Sequence, residues 1–221
     1  MVRRQSDPGY AGYGPASGHF HMGGQTCIYR MAKRALDVTV AVAILAPWAV
    51  IVGVVLLVAN PLFNPGPLFF VQTRMGRGGL PFRMIKFRTM CPDHSGARGA
   101  WDPLEQQQIP PLGRWLRTRH LDELPQCVNV LRGEMSLIGP RPDAWDHAAA
   151  YLHAIPGYRQ RHGLRPGISG WAQVQLGYAQ GRAAAARKTA IDLAYIRKAS
   201  LGLDLWLVWR TLCHLLARCR D

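Results

Sequence analysis

Residues 38–59 read VTVAVAILAPWAVIVGVVLLVA, a run of 22 residues without a charged side chain. An α-helix of this length can cross the hydrocarbon core of a bilayer, which is about 30 Å thick. The run is longer than the roughly 7–15 apolar residues of a secretory signal peptide, and it does not lie at the N-terminus. We therefore predict that residues 31–63 form a membrane-embedded helix.

Pro47 lies near the middle of this run and has no backbone N–H to donate, so it kinks or breaks a helix there. A kinked helix still crosses the bilayer, whereas a sharper break returns the chain to the face that it came from. Basic residues flank the run on both sides, and their preference for the cytoplasm slightly favours re-entry. The flanking cations are Lys33 and Arg34 before the run, and Arg74, Arg77, Arg83 and Lys86 after it. From these residues alone, crossing and re-entry both stay open.

The chain as a whole is strongly basic, because 27 Lys and Arg residues against 13 Asp and Glu give a net charge of +14. Such an excess attracts nucleic acids, anionic lipid headgroups or nucleotide substrates. A nucleic-acid-binding protein would leave the apolar run unexplained, and we find no nucleic-acid-binding motif, so we expect no nucleic-acid partner. The five cysteines show no CxxC spacing, which argues against a zinc site or a disulfide framework and fits a reducing cytoplasm.

Outward from the run, the pattern divides the chain into three segments. Residues 1–30 are rich in Gly, Ser and Pro and predict a disordered tail, and residues 31–63 form the helix. Residues 64–221 predict a domain that is α/β, mostly α with a small β element. Its predicted strands are Leu68–Gln72 and Phe82–Met90 around a turn at Gly76–Gly79, residues 91–111 form a loop, and its predicted helices cover 113–119, 122–133, 143–154, 181–199 and 201–218.

Two of these predicted helices, 113–119 and 201–218, combine Trp and Leu with Arg side chains. The combination is typical of amphipathic helices that lie in the membrane interface. A helix that packs its apolar face on an ordinary core gives the same pattern. Both interpretations stay open from the residues alone.

Asp122 and Glu123 are adjacent carboxylates at the start of a predicted helix. Such pairs are often no more than solvated charge, or a favourable first turn. In a strongly basic chain, however, a paired acid can bind Mg²⁺, which takes one or two protein carboxylates and fills its shell with water and phosphate. A carboxylate can also attack phosphorus to give an acyl phosphate, and a helix N-terminus attracts the phosphate.

Arg141 stands between Pro140 and Pro142, which restrict the backbone and present the guanidinium on a stiff support. Arginine is suited to bidentate recognition of phosphate, although a rigid turn with a solvent-facing Arg is the simpler interpretation. Arg165, before Pro166, repeats the arrangement more loosely. Lys86 and Arg88 alternate along a predicted strand, so we expect both side chains on one face.

Taken in order, these segments resemble the bacterial sugar transferase family, the monotopic polyprenyl-phosphate phosphoglycosyl transferases. The resemblance covers about residues 31–220, and it is the complete ordered set of motifs that makes it specific. The matching runs are Lys33-Arg34 to Asp37, Pro65-Gly66-Pro67, Lys86-Phe87-Arg88-Thr89-Met90, Leu121-Asp122-Glu123-Leu124-Pro125-Gln126, Asn129 to Ser136, Gly139-Pro140-Arg141-Pro142 and Arg165 to Val174.

The resemblance implies an enzyme that transfers a sugar 1-phosphate from a UDP-sugar to undecaprenyl phosphate, the first membrane step of exopolysaccharide, capsule, O-antigen or glycan assembly. It implies that Asp122 is the nucleophile, forming an aspartyl phosphosugar and releasing UMP, and that Asp122 and Glu123 hold Mg²⁺. Arg141 would neutralise phosphoryl charge. Further phosphate contacts are expected from Lys86, Arg88 and Arg165.

The resemblance also implies an anchor that is broken at Pro47 and re-enters by the cytoplasmic face of the bacterial inner membrane. The family usually has Ser before this proline, where this chain has Ala46. Residues 64–221 would then be a cytoplasmic catalytic domain whose interfacial helices contact membrane lipids, in what looks like the minimal catalytic form. We allow for a homodimer, although the sequence does not indicate the oligomeric state. A membrane-tethered scaffold without activity is the alternative, but it gives Asp122, Glu123 and Arg141 no task.

Overall fold

The computed structural model describes residues 25–90, 109–176 and 181–218, and within them the protein is mostly helical with two small sheets. This confirms the coarse fold class. The predicted loop at 91–111 and the predicted tail lie largely outside the described residues. The helices and strands are α1 (Cys27–Val40), α2 (Ala46–Phe63), β1 (Phe69–Met75), β2 (Pro81–Phe87), α3 (Pro111–Thr118), α4 (Cys127–Leu131), β3 (Ser136–Ile138), α5 (Trp145–Ala154), β4 (Gly167–Ser169), α6 (Trp171–Leu176), α7 (Gly181–Lys198) and α8 (Leu201–Arg218).

The first helix begins four residues earlier than predicted. Helix α1 starts at Cys27, and the side chain of Thr26 caps it by accepting a hydrogen bond from the Tyr29 N–H. Tyr29 is buried, and its hydroxyl donates to Asp204 in α8. Residues 27–30 therefore belong to the folded structure and not to the tail.

Pro47 does not interrupt the helix. The backbone stays helical from Cys27 to Phe63, but a π-helical segment, Ala41–Leu45, joins α1 to α2 just before the proline. Within that segment the Ala46 N–H donates to the carbonyl of Ala41, five residues back. In a π-helical turn each N–H bonds to the carbonyl five residues back in place of four. This turn stands directly before Pro47, which has no N–H to donate. The structure therefore shows a π-bulge before Pro47 and not the predicted break, and re-entry stays a prediction.

One face of this long helix packs against the following domain along its whole length. Before the proline, Ala41 and Leu45 pack in a cluster with Phe82 and Met84 of β2. After it, Leu56 packs against Phe87 and Leu116, at the other end of the same hairpin. The opposite face exposes large apolar side chains, namely Val42, Ile44, Trp48, Val50, Ile51, Val54, Val55, Leu57, Val58, Leu62 and Phe63. Of the described helices, this is the one that is long and apolar enough to cross a membrane.

Buried polar contacts fasten the first half of the helix to the domain. Asp37 is 2% exposed and accepts hydrogen bonds from Ser136 Oγ and the Leu137 N–H, both at 3.0 Å. One turn earlier, Arg34 donates to the carbonyl oxygens of Val130 and Leu131 at 2.6 and 3.0 Å. These two carbonyls lie at the C-terminal end of α4, where a cation is favourable.

The predicted hairpin is confirmed, with β1 and β2 antiparallel and Phe69 opposite Phe87. A second sheet was not predicted. Strands β3 and β4 pair in parallel through three residues each. The backbone at Gly139, just after β3, lies close to the backbone at Arg165, just before β4. A Cβ placed on Gly139 would lie 2.6 Å from the Arg165 carbonyl oxygen. This sheet fixes where the Pro140–Pro142 segment leaves β3.

Helices α3 and α8 have the amphipathic character expected of them. In α3, Leu116 is buried while Trp115 is 47% exposed, with the Arg119 guanidinium 4.9 Å from its ring centroid. In α8, Leu207 is buried and Arg210 lies over the ring of Trp206. The apolar residues that α8 exposes are Leu205, Trp206, Trp209 and Leu212. Both helices therefore pack on a core and also leave an aromatic face uncovered by the described residues.

Gly113 is required where α3 meets the strand-end residue Thr89. A Cβ on Gly113 would lie 2.1 Å from the Thr89 carbonyl oxygen, whereas one on Gly202 in α8 would meet nothing within 4 Å. We expect Gly113→Ala to destabilise the protein by about 2 kcal/mol through overpacking. The control Gly202→Ala should leave stability unchanged, or raise it by about 0.5–1 kcal/mol through helix propensity. Thermal unfolding in detergent compares the two variants, and equal midpoints would contradict this packing.

Candidate active site

The adjacent carboxylates lie on a short 3₁₀-helix, Leu121–Gln126, which continues directly into α4. This matches the predicted helix, and Gly133 ends the unit with a φ of 78°. His120 precedes the 3₁₀-helix in the left-handed region, with a φ of 54°. A non-glycine residue in this conformation is uncommon, and it turns the chain sharply just before Asp122.

Glu123 is the centre of a buried ion cluster. Its Oε1 accepts a hydrogen bond from Lys86 Nζ at 2.7 Å, and Arg141 donates through Nη2 to the same oxygen and through Nη1 to Oε2. The side chain is 8% exposed. Burial acts to raise the pKa of Glu123, but Arg141 and Lys86 more than offset this and hold the pKa well below its usual range. Glu123 is therefore ionised and neutralised by two cations.

Asp122 differs from its neighbour. Its Oδ2 lies 3.9 Å from Lys86 Nζ, beyond hydrogen-bonding distance, because Lys86 is committed to Glu123. Burial, reinforced by the negative charge of Glu123, raises the pKa of Asp122 to about 6, even though Lys86 acts in the opposite direction. Near pH 7 Asp122 is thus an anion whose ion-pair partner, Lys86, is hydrogen-bonded to Glu123 instead, which leaves the carboxylate oxygens of Asp122 open to a substrate.

Arg141 is held by contacts to its backbone as well as by its prolines. Arg161 Nη2 donates to the Arg141 carbonyl at 2.7 Å, and Arg74 Nη1 donates to the Pro142 carbonyl at 3.0 Å. The Arg141 guanidinium also donates to the Ile168 carbonyl beside β4 at 3.2 Å. The stiff support that the sequence suggested is therefore a set of three hydrogen bonds in addition to the two rings.

Arg161 was not identified from the sequence, although it is 1% exposed directly behind Arg141. It forms ion pairs with Asp143 and, at 2.8 Å, with Asp192, while Lys188 binds Asp143 at 2.6 Å. These residues are spread over three separate segments, and none of them belongs to a motif. Each charge has an opposite partner, so no buried ion of this network is left uncompensated, and the network can position Arg141 through its backbone.

The sequence comparison assigns this site to a family. The sequence model described as bacterial sugar transferase matches residues 28–218. The chain belongs to the bacterial sugar transferase family. This confirms the resemblance on which the site residues were chosen.

Curated relatives cover the same part of the chain. The UDP-glucose:undecaprenyl-phosphate glucose-1-phosphate transferase of Caulobacter vibrioides is 42% identical over 188 residues, which are 84% of this chain and 70% of the relative. The UDP-N-acetylgalactosamine-undecaprenyl-phosphate N-acetylgalactosaminephosphotransferase of Aeromonas hydrophila is 40% identical over 84% of this chain, which spans only 44% of that protein. The exopolysaccharide production protein PSS of Rhizobium leguminosarum bv. phaseoli is 35% identical, with 84% of this chain and 96% of the relative covered.

The other two predicted phosphate ligands, Arg88 and Arg165, have surroundings different from those of Lys86 and Arg141. Arg88 is 6% exposed and donates to Asn64 and to the carbonyl of Pro67, so it secures the end of α2. Strand alternation had suggested that Arg88 lies on the same face as Lys86, but the two side chains make different contacts. Arg165 donates through Nε to the Gly133 carbonyl at 2.8 Å, beyond the C-terminal end of α4. The structure brings Lys86 and Arg141 to the acidic pair, and it gives Arg88 and Arg165 other partners.

The donor atoms of Asp122 and Glu123 fit a magnesium ion. The described residues contain no cluster of three or more His, Cys, Asp or Glu side chains suited to a metal. Mg²⁺ needs only one or two protein carboxylates, since water and phosphate complete its shell. Asp122 makes no close contact with Lys86, and Glu123 Oε2 accepts a long bond of 3.3 Å from Arg141, so both groups retain acceptor capacity.

The opposite pKa shifts of the two carboxylates predict opposite effects of neutralising them. The folded-state pKa of Asp122, about 6, exceeds its ordinary 3.8, so its contribution to stability is fully present below pH 4 and is lost as the pH rises through 6. Asp122→Asn should therefore stabilise the protein above pH 7 by about 2 kcal/mol, and the difference should vanish towards pH 4.

Glu123→Gln is the matched variant, and it should destabilise the protein by about 3 kcal/mol, because it leaves two partly buried cations without their anion. Thermal unfolding of the wild type and both variants between pH 4 and 8 measures these changes. Destabilisation of Asp122→Asn at pH 8 would contradict the raised pKa.

Proposed function

We propose that the protein transfers a sugar 1-phosphate from a UDP-sugar to undecaprenyl phosphate through an aspartyl phosphosugar intermediate. Family membership and the activities for which the Caulobacter and Aeromonas relatives are named support the substrates. The observation that carries the mechanism is the unequal pair: Glu123 is hydrogen-bonded to two cations, whereas Asp122 beside it has only a 3.9 Å ion pair with Lys86.

In the first half-reaction, an Asp122 carboxylate oxygen attacks the β-phosphorus of the UDP-sugar. The bond from this phosphorus to the oxygen that bridges the two phosphates breaks, and UMP leaves with the electron pair. In the second, an oxygen of undecaprenyl phosphate attacks the same phosphorus and Asp122 departs as a carboxylate. The product is a lipid diphosphate sugar, and the kinetics are ping-pong.

Lys86 and Arg141 supply positive charge next to the reacting carboxylate. Negative charge builds up on the phosphoryl oxygens during each displacement, and fixed cations in a water-poor site stabilise it. Glu123 keeps both cations in place, since it binds them on two sides. We also propose that Glu123 and Asp122 hold Mg²⁺, which when bound would neutralise phosphate charge.

The long apolar helix supports attachment to a membrane, and its packing favours an arrangement with both flanks on one side of the bilayer over a crossing helix. The domain contacts the helix both before and after Pro47, through Ala41 and Leu56. A polar domain cannot follow a crossing helix into hydrocarbon, so both flanks would lie on one side. We place that side in the cytoplasm, because the flanking residues are basic.

The product would enter the first membrane step of polysaccharide assembly. The name of the Rhizobium relative, an exopolysaccharide production protein, supports this class of pathway. The activity requires the buried cluster around Glu123, for which a scaffold protein would have no use.

Replacement of the nucleophile tests the mechanism. Asp122→Asn should lower UMP release from a UDP-sugar to background and abolish any phosphosugar adduct, while membrane association persists. The matched control Asp146→Asn removes an exposed carboxylate from the first turn of α5 and should retain activity. Mass spectrometry of the intact protein, quenched with donor but without acceptor, detects the adduct. Turnover by Asp122→Asn, or an adduct on another residue, would refute the proposed role.

Topology can be tested by single cysteines in a cysteine-free background. Ile28 and Pro65 are exposed on either flank of the apolar run. We expect Ile28→Cys and Pro65→Cys to react with a membrane-impermeant maleimide only when the cytoplasmic face is open. Leu57→Cys, on the exposed apolar face, should stay unlabelled in lipid. Labelling of one flank from the periplasm would establish a crossing helix instead.

A further inference from the structure

A second basic pocket lies away from the acidic pair. It opens between the first turns of α1, the turn joining β1 to β2 and the segment that precedes β4, and its cavity volume is about 60 Å³. It is lined by one carboxylate, that of Asp37, and by five cations, namely Arg30, Lys33, Arg34, Arg77 and Arg165.

The carboxylates near this pocket are already engaged elsewhere. Asp37 accepts hydrogen bonds from Ser136 and the Leu137 N–H. Asp204 pairs with Lys33 at 2.8 Å and also accepts from Tyr29. Since Lys33 is the one lining cation with a carboxylate partner among the described ion pairs, the pocket keeps a large positive excess.

The arginines of the pocket crowd one another. Burial lowers the pKa of Arg165, and the nearby guanidinium groups of Arg34 and Arg77 lower it further. Arg34 and Arg165 each use part of their donors on backbone carbonyls, whereas Arg30 and Arg77 are exposed. An anion with several oxygen atoms would relieve this repulsion and accept the remaining N–H groups.

An unused donor also lines the pocket. Gln25 Nε2 is buried and has no hydrogen-bond partner among the described residues. Buried polar groups are normally paired, so an orphaned donor next to several cations is consistent with a missing acceptor. It adds an uncharged donor to the guanidinium groups.

Two apolar surfaces border the pocket. Ile28 and Met31, on the first turns of α1, are 79% and 68% exposed. The Lys33–Asp204 pair ties this end of α1 to α8, whose Trp206 and Trp209 are exposed. Aromatic and basic residues side by side are typical of the headgroup level of a bilayer. The surroundings of the pocket therefore have the composition of a surface that meets lipid headgroups.

We propose that the pocket formed around Arg30, Arg77 and Arg165 binds the phosphate group of an anionic membrane phospholipid. The inference depends on the membrane association in the proposed function and not on the transfer chemistry. The pocket shares no lining residue with the ion cluster of Lys86, Glu123 and Arg141. Under this proposal Arg165 contacts a lipid phosphate, whereas the sequence had led us to expect a contact with the phosphates of the UDP-sugar.

The test uses the full chain purified in a neutral detergent and delipidated. Native mass spectrometry measures binding of phosphatidylglycerol, of zwitterionic phosphatidylcholine, and of inorganic phosphate as the soluble source of the same group. The variants are Arg77→Gln, on an exposed turn where the fold does not depend on it, and Arg165→Gln. Arg83→Gln removes an exposed arginine of β2 outside the pocket and is the matched control.

We expect phosphatidylglycerol to bind in preference to phosphatidylcholine, and each pocket variant to weaken it about fivefold, the effect of one cation at an anionic surface. Arg83→Gln should bind like the wild type. Equal binding by wild type and Arg77→Gln would overturn the proposal, and so would binding of inorganic phosphate as tight as that of phosphatidylglycerol. UMP release, measured on the same samples, reports separately on the transferase activity, which Arg77→Gln should retain.

Discussion

The carboxylate of Glu123 is the contact on which the site depends. It joins three parts of the chain that are distant in sequence: the 3₁₀-helix that carries it, strand β2 through Lys86, and the proline-flanked segment through Arg141. Two cations that would repel each other are thereby held within reach of one neighbouring acid. Burial raises the pKa of the neighbouring Asp122 to about 6, and the negative charge of Glu123 adds to this, whereas the two cations hold the pKa of Glu123 well below its usual range.

The long apolar helix packs directly against the segment that carries the acidic pair. Leu121 and Leu124, on the 3₁₀-helix of the pair, pack in the same cluster as Leu56 of α2. Cys127 and Val130 of the following helix pack with Ala41. The acidic pair is therefore supported directly by the long apolar helix, which suits the proposed transfer to a membrane-bound phosphate.

Residue types with a strong local signal could be predicted from the sequence, and their partners often could not. The hairpin, the long helix and the helical acidic pair follow from periodicity and turn residues. Arg88 and Arg165 are arginines within motifs, like Arg141, yet their contacts depend on Asn64 and Gly133, which no local pattern connects to them. Strands β3 and β4 are too short to show a period. The ions around Arg161 come together only in the folded chain.

The π-bulge before Pro47 has a consequence for how the two halves of the helix are aligned. A π-helical turn accommodates one residue more than an α-helical turn, so it offsets everything downstream by about 100° around the axis. With that offset, Asp37 on one half and Leu56 on the other both face the domain. Sequences that lose a single residue between positions 41 and 45 would rotate one half away from its binding surface, so insertions and deletions should be rarer here than substitutions.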